Sequence, residues 1–170
     1  MRIEDGKGSG LYATVNSENR MEISAITEEE KDYAGDLGDK YNINTGDITL
    51  TDAAKTTVLY IKNNEDSDLI INSLIYNLGA TANGTGDVKI EVLRNPTTGD
   101  IVTNASAVEA VSNQNFGSNK TLTADTYKGA TADAAITDGA VSISTRSAAS
   151  TGRIVIALGA LVLPKGSSIA

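Results

Sequence analysis

The chain has 170 residues, enough for one domain with an appendage, and a domain of that length buries about 68–70% of the surface its unfolded form exposes, so a core needs no covalent staple. It contains neither cysteine nor histidine, which removes disulfides, thiolate and imidazole metal sites, and the Ser–His and Cys–His nucleophile arrangements. A net charge of −8 opposes binding to a phosphate backbone, and the longest apolar run, "RIVIALGALVLP", is too short to cross a bilayer. Neither nucleic acid nor membrane is expected as a partner.

No charged segment followed by an apolar run opens the chain, which reads as a protein made without a Sec-type signal. Residues 1–26 carry two short apolar alternations around the polar tip Asn16–Asn19, so "LYATV" and "RMEISAI" are expected to form a hairpin. Gly6, Gly8 and Gly10 before it mark an adaptable lead-in rather than a strand. A two-stranded hairpin is marginal alone in water, so this arm is expected to lie on another surface.

Residues 27–46 read as a short helix and a linker. Thr27 and Glu30 have capping-box spacing, acidic residues fill the first turn, Gly35 or Gly38 ends the helix, and "NINTGD" is a turn bent at Asn44–Gly46.

Residues 47–170 are expected to be strand after strand: "DITLT", "TTVLYIKNN", "DLIINSLIYNLGA", "DVKIEVLRN", "IVT", "AVSISTRSA" and "GRIVIALGALVLP". Val88, Ile90 and Val92 alternate with Lys89 and Glu91, and Val141 and Ile143 read as inward-facing. The apolar density of the third run predicts that it is covered along most of its length, and that of the last predicts a central strand. Residues 104–140 form a long excursion with few large side chains, Phe116, Leu122, Tyr127 and Ile136. After the "PKG" turn, "SSIA" begins a strand that would leave an unpaired edge, either because the strand is cut short or because a neighbouring chain supplies the pairing. The fold class is therefore all-β: an antiparallel, jelly-roll-like β-sandwich with an N-terminal hairpin arm and one short helix.

Chemistry-bearing motifs are weak. Glu65, Asp66 and Asp68 in "NNEDSD" offer hard oxygen ligands for calcium, yet lack the spacing of a calcium loop and read as a solvated hairpin tip. "IEDGKGSG" has the glycines of a phosphate loop without its Lys-Ser/Thr pair. A paired-carboxylate glycosidase or a lectin would need stacking aromatics, and the chain has no Trp and one Phe. The sequons at Asn83 and Asn104 are expected by chance in so Asn/Thr/Ser-rich a chain. No cofactor and no enzymatic activity are expected. Contact residues are sought instead among the apolar positions of the arm and the tyrosines near it: Ile3, Leu11, Tyr12, Val15, Met21, Ile23, Tyr33 and Tyr41. Tyr60 and Tyr76 sit within apolar strands and are assigned to the core or its margin.

The opening "RIEDGKGSGLYATVNSENRMEISAIT", the join "YAGDLGDKYNINTGDITLT", the pair "TTVLYIKNNEDSDLIINSLIYNLG" and the closing "ALGALVLPKGSSIA" resemble virion structural proteins of tailed bacteriophages. The resemblance spans the two ends and the first half of the sandwich and carries no catalytic motif. It implies a non-enzymatic component of the particle exterior, made in the host cytoplasm: a head decoration or cement protein, with the major capsid protein or other virion proteins as partners, and a homotrimer. A tail or fibre component contacting the host through residues 104–140 is the alternative.

Overall fold

The computed structural model describes residues 3–4, 12–15, 21–22, 30–50, 55–79, 87–103, 106–130, 133–148 and 152–170. Leu11, Ile23, Gly6, Gly8, Gly10, Thr27, Asn83 and Asn104 lie outside them.

The N-terminal segment is a meander of three strands, β1 (Ile3–Glu4), β2 (Tyr12–Val15) and β3 (Met21–Glu22). The expected hairpin is β2 with β3, paired Thr14 to Glu22 and Val15 to Met21. The addition is β1, on the other edge of β2 with Ile3 opposite Ala13 and Glu4 opposite Tyr12. A two-residue strand has no period to read, so β1 was invisible in the sequence. Among the described residues this sheet pairs only within itself.

Helix α1 (Glu30–Asp36) ends as the glycines predict. Asp39 N–H donates to the Ala34 carbonyl and Gly38 N–H to that of Gly35, with Gly38 at φ 74°: a Schellman close at a left-handed position. "YNIN" departs from the expected turn and forms β4 (Tyr41–Asn44). The bend follows it, where Gly46 N–H donates to Asn44 Oδ1 at 2.9 Å. "DITLT" is also corrected: residues 47–50 form no strand.

The body contains β5 (Leu59–Lys62), β6 (Leu69–Leu78), β7 (Asp87–Arg94), α2 (Asp100–Thr103), β8 (Ser106–Ala107) and β9 (Ala110–Asn113). It continues with β10 (Asp125–Lys128), β11 (Ala140–Ala148), β12 (Gly152–Leu163) and β13 (Ser168–Ile169). Six strands form one antiparallel sheet in the order β11-β7-β13-β5-β10-β8, while β12 pairs with β6 and β4 with β9. The pairs β5·β13, β6·β12 and β7·β11 are nested one inside the next. The protein is all-β; its second layer is the two-stranded β6–β12 ribbon rather than a full sheet.

Burial explains why β5 is apolar at consecutive positions. Ile61 joins Val92, Leu163 and Ile169 on one side, with Leu69, Ile71, Leu74 and Leu161 of the ribbon packed against them. Tyr60 joins Ile101 and Ile136 on the other, stacked on Tyr127 at 6.0 Å between ring centroids. The centre of the sheet is thus covered on both faces, by the ribbon and by α2 with the 133–139 loop.

Four expectations fail here for tertiary reasons. "IVT" is helical: Asp100 opens α2 and accepts the Ala134 N–H at 2.8 Å, and Ile101 is buried under Tyr60, so β-branched composition is overridden and the helices number two among the described residues. Val141 is exposed, because a bulge between Val141 and Ile143 reverses the alternation of β11. "SSIA" leaves no open edge; β13 is held between β5 and β7, and the Ala170 backbone exchanges both hydrogen bonds with Leu93. Conversely, the apolar β12 is not central and β6 is not covered, since Ile70, Ile75, Val155 and Val162 are all exposed.

Candidate interaction surfaces

The described residues hold no group of three metal-ligating side chains, and two of the carboxylates singled out from the sequence are already engaged. Glu65 accepts the Thr123 N–H at 2.7 Å, Asp66 pairs with Lys165 at 2.5 Å, and Asp68 stands exposed beside the β6 cleft. Glu65 and Asp66 act as loop fasteners. Among the described residues, three surfaces are available for contact.

The first is the N-terminal meander. Its register puts Ile3, Ala13, Val15 and Met21 at positions of one face, and Glu4, Tyr12, Thr14 and Glu22 at positions of the other. Four of the expected contact residues thus occur on a sheet too small to bury a face of its own.

The second surrounds α1 and the 113–120 loop. Asn113 organises it: Nδ2 donates to the Gly38 carbonyl at 2.7 Å and the Lys120 carbonyl at 3.1 Å, while Oδ1 accepts the Asn115 N–H at 2.8 Å. Asn115 Nδ2 reaches the Asp36 carbonyl, its Oδ1 accepts the Gly117 N–H, and Lys120 Nζ holds Asp39 at 2.8 Å. So fastened, the loop presents Phe116 100% exposed, near α1, where Tyr33 and, just past the helix end, Leu37 are also exposed. Tyr41 is half-buried; burial first, then the negative Asp39 and Glu65, raises its hydroxyl above the ordinary tyrosine range. Of the two tyrosines expected here, Tyr33 is open to a partner and Tyr41 serves mainly as a wall. Phe116 was not singled out for contact, although a signal existed: the chain's one Phe is flanked by "NQN" and "GSN", polar residues that cannot enclose it.

The third is the β6–β12 ribbon. A cleft of about 1850 Å³ runs beside β6 and is walled opposite by residues 39–50. Leu74, Tyr76 and Leu78 border it half-buried, and burial raises the Tyr76 hydroxyl above its usual range. On the distal ribbon Ile75 lies directly opposite Val155, and nearer the sheet Ile70 lies opposite Val162, both pairs exposed.

One polar cluster serves the scaffold alone. The Asp138 carboxylate accepts the N–H and the hydroxyl of both Thr97 and Thr98, holding its pKa well below the carboxylate range and closing the 95–99 loop. A carboxylate depressed on folding stabilises fully above its unfolded value of about 3.9, and the contribution is lost as pH falls through the lower folded value. Unfolding midpoints measured across acid pH are therefore expected to drop more steeply below about pH 4 in the native chain than in Asp138→Asn. Superimposable acid limbs would contradict the clamp.

Compared with known proteins, the chain matches no protein-family model, no curated protein and no solved structure.

Proposed function

We propose that this chain is a non-enzymatic virion structural protein of a tailed bacteriophage: a decoration or cement protein on the exterior of the head, attached through its N-terminal arm and subunit contacts. The observation that carries this reading is the N-terminal meander, a separate pairing unit too small to be stable by itself, with Ile3, Val15 and Met21 at positions of one face. Such a sheet gains its order on a neighbouring protein, the major capsid protein under this reading. Apolar burial at roughly 25 cal/mol per Å², less the losses of association, makes one arm a modest contact. Several arms on one oligomer, a homotrimer under the phage resemblance, multiply modest contacts into firm attachment.

The test is cosedimentation with particles lacking the protein. The full chain is expected to pellet with heads, and a variant lacking residues 1–26 to remain folded by circular dichroism yet stay in the supernatant. Equal pelleting of both would remove the arm from the account.

One observation favours a second reading. Phe116 lies inside the 104–140 excursion and is the most exposed of the large apolar side chains described, as a tail or fibre component meeting a host receptor requires. Under that reading Phe116→Ala abolishes binding to cells and deletion of the arm does not; under the first, the arm decides attachment to heads.

A further inference from the structure

We propose that the open edge of β6 is completed by the β6–β12 ribbon of a second copy of this chain. The inference goes beyond the virion reading and does not depend on it.

The ribbon is a sheet of two strands, 10 and 12 residues long, and among the described residues no third strand pairs with either. Open edges in natural sheets are defended by charges, prolines or bulges. The two strands differ in this respect. β12 carries Arg153 and an irregularity between Ala157 and Leu161, where Gly159 takes φ 71°. β6, "LIINSLIYNL", has no charge, no proline and no break. Residues 67–79 line the cleft without interruption, so positions of both faces border it, as they do along an exposed strand edge. The cleft therefore has the form of a strand-addition slot.

Charge selects the occupant. The chain has 22 acidic and 14 basic residues, so two copies repel over most of their surfaces. The ribbon is the extended stretch where they do not, since 22 residues of paired strand hold Arg153 as their one charged side chain. Length agrees. Ten residues at about 3.3 Å each give an edge of roughly 33 Å, and pairing along it sets Ile70 and Ile75, exposed on opposite faces of β6, beside side chains of the second copy.

The experiment is native mass spectrometry of the purified full chain over a concentration series, with hydrogen exchange read on β6. The expected result is an oligomer in which β6 amides become protected as concentration rises. Ile75→Lys, at a side chain already half-exposed, brings like charges together and is expected to raise the dissociation constant about a hundredfold while leaving the fold intact. Val141→Lys, equally exposed but on β11, is expected to change nothing. A single-chain mass at every concentration overturns the proposal, as does an oligomer dissociated by Val141→Lys but not by Ile75→Lys. Protection of β6 that appears only with an added foreign protein overturns it too. Because the readout is the isolated chain's mass, failure here leaves attachment to heads unaffected, and failure to attach leaves this result standing.

Discussion

Replacing Asn63 by alanine is expected to lower the unfolding free energy by about 3 kcal/mol, a large share of the 5–15 kcal/mol that holds a typical domain together. Asn63 is fully buried and all its polar atoms are used. Nδ2 donates to the Leu163 carbonyl at 2.8 Å and the Ser67 carbonyl at 2.9 Å, and Oδ1 accepts the Glu65 N–H at 2.8 Å. Its backbone adds two more bonds, to Ser167 and Gly166. One side chain therefore ties the β5–β6 turn to the end of β12 and to the turn that delivers β13. Alanine removes the side-chain donor to the buried Leu163 carbonyl, and weakening a buried polar group costs about 1–3 kcal/mol beyond the bonds at the more open groups. Urea unfolding measures it. Asn64→Ala, one residue on at an exposed position, is the control and is expected to stay within about 0.5 kcal/mol. Equal, small effects at both positions would refute the hub.

Gly129→Ala is expected to be nearly as damaging, for a reason of space rather than polarity. Gly129 is buried at the end of β10, and a Cβ there would overlap the backbone carbonyl of Thr57 and approach Ile101 Cδ1 to 3.7 Å. A carbonyl cannot rotate away as a flexible side chain can, so the end of β10 must withdraw from β5, loosening the Tyr60–Tyr127 stack. Overpacking of this kind costs about 1–3 kcal/mol, and 2 kcal/mol corresponds to a melting point lower by roughly 4–8 °C in a chain of this size. Gly152→Ala is the comparison, because among the described residues nothing lies within 4 Å of a Cβ there. There the smaller backbone entropy of the unfolded chain makes the change neutral or slightly stabilising. Thermal melts of the two variants that coincide would contradict the packing described.

The contrast between what the residues announced and what they hid follows from the range of each interaction. β7 was legible because Val92 is buried in the core, Val88 and Ile90 are half-buried and Lys89 is exposed, while Glu91 is drawn into ion pairs with Lys55 and Lys89. The end of α1 was legible because Gly38 supplies its own left-handed close. Pairing order was not legible, since nothing within "SSIA" says that β5 and β7 leave a gap for it. Nor does "YNIN" announce β9 as its partner. Apolar density misled for β6 and β12, where it marks an exposed ribbon instead of a covered strand. Among contact residues, Tyr33 is exposed beside the 113–120 loop, whereas Phe116 was read only as a large residue in an irregular stretch.

The most direct test of the central claim is electron cryomicroscopy of phage particles with and without this protein. The account predicts added density on the outside of the head at symmetry-related positions, with the N-terminal meander seated on the shell and the β-body projecting from it. Identical heads, with the difference confined to the tail or missing from the particle altogether, would contradict it.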